Sequence, residues 1–261
     1  MRIPQKTPAQ IEKMRRAGLV VWQAHHEAGK LIRPGVTTEE INAVVEAVIA
    51  DHGGIPLFKG VPGTVPFPAG TCISINSEVV HGIPGPRRLA AGDVVSVDIG
   101  VRLDGWCGDA AVTHPVGEVA PELRRLLAVN EGVLRLAIRM MRPGIRWSQV
   151  GRAMERFVEK AGFHVVEDLL GHGIGRELWE EPEVPNYPPE RKDDFKLRPG
   201  MVLAVEPMVA MGTSEVQLLA DHWTYETVDG SPCGHFEHTL AVTEDGVQAL
   251  TAGPDGSGWG L

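Results

Sequence analysis

The sequence predicts one mixed α/β (α+β) domain built from two similar halves, and three observations support this. A stretch near the N-terminus, LIRPGVTTEEINAVVEAVIADHGG from Leu31, returns as MMRPGIRWSQVGRAMERFVEKAGF from Met140. Arg33-Pro34-Gly35 then lies over Arg142-Pro143-Gly144 and Gly53 over Gly162, both at an offset of 109. After each copy comes a glycine-led apolar run ending in an acid, Gly92 to Asp98 and Gly200 to Glu206. Finally, 261 residues is the size of one large domain or two small ones, and no low-complexity linker divides them.

In each copy a Pro-Gly turn precedes a Thr or Ser near a helix start, followed by an apolar stripe: Ile41, Val44, Val45 and Val48 in the first, Val150, Ala153, Phe157 and Val158 in the second. Helices are predicted at about 8–30, 37–52, 120–141 and 147–162. Strands are predicted near 71–76, 93–102, 106–114, 201–209, 215–227 and 235–243. Asp104-Gly105 between two apolar runs signals a two-residue hairpin. Pairing Leu103 with Trp106 sets Asp98 opposite Ala111 and Gly100 opposite Asp109, so Asp98 and Asp109 share a face as diagonal neighbours. Residues 1–251 are expected as a single domain and 252–261 as a flexible tail. Two repeats fall short of a solenoid, so a site between the halves is expected.

Composition narrows the function. Apolar residues make up 43%, the net charge is −9 and the pI is about 5.6. Without a basic stripe, nucleic acid is excluded as the main partner. No run of 18 apolar residues predicts a membrane span, and MRIPQKTPAQ lacks the apolar centre of a signal peptide. Cys72, Cys107 and Cys233 lack CxxC spacing and read as reduced thiols of a cytoplasmic protein.

The chemistry is carried by acids in apolar settings. Asp98, Asp109, Glu206 and Glu237 each sit in or beside a hydrophobic run, and His172 lies between glycines in GHGIGRE. Buried acids need compensation. Four converging carboxylates make six like-charge pairs, each costing about 4 kcal/mol at 4 Å and an effective dielectric near 20. Two divalent ions would cancel the charge, and an oxygen-rich set with one imidazole suits Mn, Fe or Co as well as Zn. His81, between a strand and a Gly-Ile-Pro turn, is a candidate donor or acid near the metals. His238 should point away from Glu237 along a strand, and the adjacent His25 and His26 read as structural or surface residues.

The motifs SINSEVVHGIP, GDVVSVDIG, DGWCGDAAVT, GHGIGRE before EEP, LRPGMVLAVEP and FEHTLAVT together resemble type I methionine aminopeptidase, from about Thr7 to Thr251. The resemblance implies the pita-bread fold, with pseudo-two-fold symmetric halves around a curved antiparallel sheet. It implies removal of the initiator methionine from nascent chains whose second residue is small. Two divalent ions (Co, Mn, Fe or Zn) would be held by Asp98 and Asp109, with Asp109 shared, by His172 and Glu206 on one ion, and by Glu237 bridging both. Glu206 would handle the proton and His81 would bond the substrate near the scissile amide. Phe67, Cys72, Leu178 and Trp223 would line the methionine pocket. Expected partners are the N-terminal peptide of nascent proteins and, transiently, the ribosome; the chain is expected to act as a monomer.

One departure stands out. Where the family has a second substrate-binding histidine before Glu-Glu-Pro, this chain has Trp179. Indole keeps one donor but cannot take up a proton. Metal binding is therefore expected intact, with activity weakened or altered. Val61 and Thr64 also replace the cysteine and tyrosine often found there. The alternatives are a proline-directed peptidase on the same fold and a metal-binding protein without catalysis.

Overall fold

A computed structural model describes residues 3–256. Helix α1 (Pro8–Leu31) starts at a capping box in which the Thr7 side chain accepts from the Gln10 amide and the Gln10 side chain accepts from the Thr7 amide. Helix α2 (Thr38–Asp51) opens on the same device, Thr37 with Glu40. Strands β1 (Ile55–Pro56), β2 (Cys72–Ile75), β3 (Glu78–Val80), β4 (Val94–Leu103) and β5 (Trp106–Pro115) complete the first half. Strand β4 pairs along its whole length with β5 on one edge, and with β2 and then β1 on the other.

The β4–β5 register is the one predicted. Leu103 pairs with Trp106, Asp98 with Ala111 and Gly100 with Asp109. Asp104 and Gly105 both have left-handed φ, 51° and 74°. Two such residues in a row match the right-handed twist of the flanking strands.

The second half contains α3 (Pro121–Met140), α4 (Trp147–Lys160), β6 (His164–Val165), β7 (Gly171–Gly173), β8 (Glu180–Val184), β9 (Val202–Val205) and β10 (Met208–Ala210). It continues with β11 (Val216–Leu218), β12 (Tyr225–Thr227), β13 (Cys233–His235), β14 (His238–Val242) and β15 (Val247–Ala249). The runs expected as single strands at 201–209, 215–227 and 235–243 are each broken in two. At 206–207 and 236–237 the chain changes sheets: β9 and β14 pair in a five-stranded sheet, whereas β10 and β13 pair in a separate three-stranded one. Pro207 has no amide to donate at that break. At 219–224 a turn intervenes, where Asp221 Oδ1 accepts the Trp223 and Thr224 amides. The short strands β1, β3, β6, β7 and β15 carry too few residues to show a period in sequence.

The repeat is structural. Gly35 and Gly144 have φ of 91° and 88°, Gly53 and Gly162 of 69° and 77°, and Gly92 and Gly200 of 97° and 89°. Single bridges pair Thr37 with Arg88 and Arg146 with Lys196, one in each half. Helix α2 buries Ile41, Val45 and Ile49; α4 buries Val150, Met154 and Val158 at the matching positions. The expected stripes are thus corrected at Val44, Val48 and Ala153, which are half-buried, and at Phe157, which is exposed and rests beside Gly132. A separate apolar core forms in each half.

The halves join where β5 meets β14. The Asp109 amide donates to Thr239 Oγ1, that hydroxyl donates to the Asp109 carbonyl, and the Glu237 amide donates to the Ala111 carbonyl. Ala252 and Gly253, expected in the tail, are buried because the Arg15 guanidinium holds the carbonyls of Leu250, Ala252 and Gly253. Residues 257–261 of that tail lie outside the described residues.

Candidate metal centre and substrate pocket

Asp98 on β4 and Asp109 on β5 reach the seam from the first half. Glu206 and Glu237 reach it from the second, each at the point where a strand changes sheets. Two buried amides brace the Glu206 turn: Asn186 Nδ2 donates to the Glu206 carbonyl and Asn130 Nδ2 to that of Pro207. His172 sits in β7 between Gly171 and Gly173. A Cβ at either glycine would run into the Ala204 or Glu181 carbonyl, so the GHG spacing is what admits this strand beside β9 and β8.

All five predicted ligands come together. Side-chain atoms of Asp109, His172 and Glu237 lie within 4.8 Å of one another. His172 Nε2 is 4.0 Å from Asp109 Oδ2 and 3.6 Å from Glu206 Oε1. Burial first, then the charges of Asp109 and Glu206, hold the Asp98 carboxyl well above the usual carboxylate range. Burial likewise raises Glu237, followed by the charges of Asp109, Glu206 and Asp98, and raises Glu206, followed by Asp109. Among the described residues, no lysine or arginine pairs with any of the four; only His172 and His235 approach them.

These residues fit divalent metal ions. Asp98 Oδ1, Asp109 Oδ1 and Glu237 Oε1 are buried without a hydrogen-bond donor. His172 Nδ1 lies 2.9 Å from the Gly173 carbonyl and must donate to it. Its Nε2 then presents a bare lone pair to two carboxyl groups, an arrangement that is repulsive between ionised groups and is relieved by a proton or by a metal ion that the imidazole and the acids hold together. Burial keeps this imidazole neutral by lowering its pKa to about 4.

A cavity of about 260 Å³ opens onto the cluster. The predicted Phe67, Cys72, Trp223, Trp179 and His81 line it. Phe67 and Trp223 meet edge to face at 5.2 Å, and Trp223 Nε1 donates to the Val65 carbonyl at 2.7 Å. Leu178 does not line the cavity; it packs behind it in the cluster that includes Phe58, Phe67 and Cys72. His81 stands at the wall with left-handed φ of 59°. Trp179, 58% exposed, forms the rim. His238 points away, with Nδ1 bonded to Thr251 Oγ1.

Sequence reasoning missed Phe58, Val80, Leu169, Leu170, Met208 and His235 in the wall. His235 stands two residues before Glu237, but the change of sheet at 236–237 breaks the strand period that would have linked them in sequence.

The sequence profile of Metallopeptidase family M24 matches residues 12–244. The chain belongs to metallopeptidase family M24. Within M24, it is 46% identical over 246 residues to Methionine aminopeptidase 1 of Bacillus subtilis, covering 94% of this chain and 98% of that one. It is 37% identical to the Methionine aminopeptidase of Helicobacter pylori, covering 96% and 99%. The crystal structure of a methionine aminopeptidase from Thermotoga maritima superimposes with a TM-score of 0.92 at 45% identity, covering 96% of this chain and 99% of that one. A prolidase from Pyrococcus furiosus, at 23% identity and a TM-score of 0.75, shares the fold over 95% of this chain and 65% of its own. The expected pita-bread architecture of M24 is therefore the one observed, with its sheet divided into four hydrogen-bonded segments.

Proposed function

We propose that this chain is a metal-dependent aminopeptidase that removes N-terminal methionine from polypeptides with a small second residue. The bare Nε2 of His172 among four carboxylates, three of whose oxygens are buried and unbonded, is the observation that carries this reading. Asp98, Asp109, His172, Glu206 and Glu237 would hold two divalent ions (Co, Mn, Fe or Zn). Bound there, the ions supply Lewis-acid polarisation of the scissile carbonyl and make water a nucleophile near neutral pH.

This chain's residues do the rest. The methionine side chain fits the apolar end of the cavity, against Phe58, Phe67, Cys72 and Trp223. Glu206 takes the proton from the attacking water and passes it to the leaving amine. His81, kept neutral by burial, which lowers its pKa to about 4, bonds the substrate near the scissile amide. Downstream residues leave past Trp179 along a groove lined by Leu170, Glu181 and Glu183. On this reading the substrates are nascent chains in the cytoplasm, met at or near the ribosome by a monomer.

The test is methionine release from Met-Ala-Ser by chelator-stripped protein with Co²⁺ or Mn²⁺ added back. Release that depends on metal supports the reading. No release with metal bound, or faster cleavage of Xaa-Pro peptides, overturns it.

A further inference from the structure

We infer that His235 is a positioning residue for the proposed reaction, an imidazole whose N–H holds one oxygen of Glu206 while the other oxygen faces His172. The inference rests on the reading above and extends it to a residue without an assigned role. Glu206 lies between two imidazoles, with Oε1 3.6 Å from His172 Nε2 and Oε2 3.7 Å from His235 Nε2. His235 is 2% exposed, lines the cavity, and its Nε2 has no hydrogen-bond partner. Facing an ionised Glu206, the form that bound cations would favour, a buried imidazole nitrogen is favourable only as a donor, because a bare lone pair there would face an oxygen lone pair. At 3.7 Å the bond is not yet formed. Catalytic hydrogen bonds are often long before the site is loaded and tighten afterwards.

The backbone around His235 is clamped, which a positioning role requires. Its amide donates to Thr113 Oγ1 at 2.7 Å and its carbonyl accepts from that hydroxyl at 2.8 Å. Since the Thr113 proton is committed to the carbonyl, Ser96 Oγ must donate to Thr113 Oγ1, at 2.8 Å. On the other side, His235 pairs with Met208, two residues beyond Glu206. The imidazole and the carboxylate it faces are thus mounted on adjacent strands, and the bases of both are fixed. His172 Nε2 faces one oxygen of Glu206 and His235 would hold the other, which fixes the orientation of the carboxylate that handles the proton.

The test compares His235→Met, which cannot donate, with His235→Gln, which keeps an N–H. His235→Leu serves should the methionine variant not fold, as judged by thermal melting. Each is loaded with Co²⁺, assayed on Met-Ala-Ser, and its metal content and Co²⁺ absorption recorded. Expected are two ions retained, kcat lowered at least 10-fold in the non-donor variant with KM within about twofold, a changed Co²⁺ spectrum, and recovery of both in His235→Gln. A non-donor variant within twofold of wild-type kcat overturns the inference, as does a glutamine variant no better than methionine. Loss of one ion also overturns it, since His235 would then be a ligand. Should the wild type release no methionine, the reading under Proposed function fails by itself. The Co²⁺ spectrum then decides the placement of His235, and an unchanged spectrum in the non-donor variant overturns it.

Discussion

Thr239 and Asp109 are joined by two hydrogen bonds through one hydroxyl: Oγ1 accepts from the Asp109 amide at 2.9 Å and donates to the Asp109 carbonyl at 2.8 Å. Thr239 is fully buried and lies 130 residues from its partner, so a single side chain ties the two halves beside the candidate metal centre. Thr239→Val keeps the shape and leaves two buried backbone groups unsatisfied, at about 1–3 kcal/mol each. The expected outcome is a melting temperature lower by roughly 4–24 °C, at about 2–4 °C per kcal/mol for a domain of this size. Weaker Mn²⁺ binding should accompany it, whereas Thr239→Ser should leave both nearly unchanged. Calorimetric melting and metal titration check this.

Metal uptake should expel protons. Burial raises Asp109 to about 7 and holds Asp98, Glu206 and Glu237 above the usual carboxylate range, so the metal-free cluster keeps protons to higher pH than free carboxylates do, and bound cations displace them. Titration calorimetry at pH 7 in buffers of different ionisation enthalpy should show release of at least one proton per chain. Zero release would mean the carboxylates are already ionised. In metal-free protein these raised acids stabilise the fold at low pH, and that contribution is lost as pH rises through their folded pKa values.

The buried histidines act in the opposite sense. Burial lowers His25 and His238 to about 3. Both stay neutral in the fold while the unfolded chain takes up protons below about 6.5. Their contribution is complete above that value and is lost as pH falls toward 3, costing about 2 kcal/mol per residue by pH 5. With metal loaded, the wild type should lose more melting temperature between pH 7 and pH 5 than His25→Gln does. Equal losses would show that His25 is not held neutral.

Trp179→His should raise turnover. The indole at the rim donates one N–H but cannot carry developing charge, and a well-placed donor is worth about 10²–10³ in rate. An increase of ~10-fold or more in kcat is expected, with metal content unchanged. No gain at full metal occupancy would mean the exposed indole already serves the reaction.

Legibility in the sequence followed chain distance and period. Asp104-Gly105 with period-two flanks made the β4–β5 register readable to the residue, and with it the approach of Asp98 to Asp109. The repeat located the second half's acid at Glu206. Hidden were features set by long-range packing. Pro207 marks a break after Glu206, but nothing local says that the chain changes sheets there or at Glu237, or that Asn130 on a helix braces Pro207. Met154 rather than Phe157 faces the core because the stripe follows the partner's surface as well as the helical period. Leu178 behind the pocket and Leu169 within it have the same chemistry in sequence and differ only in how the chain turns.

The division of the four acids between the halves sets an order on the protein's own synthesis. A chain emerging N-terminus first finishes Asp98 and Asp109 well before Glu206 and Glu237 exist. With only two acids and no His172, the early half has little charge to relieve and little grip on a cation. Strong metal capture therefore begins only when the second half closes against the first, and a translation product truncated between them carries no competing ion trap into the cell.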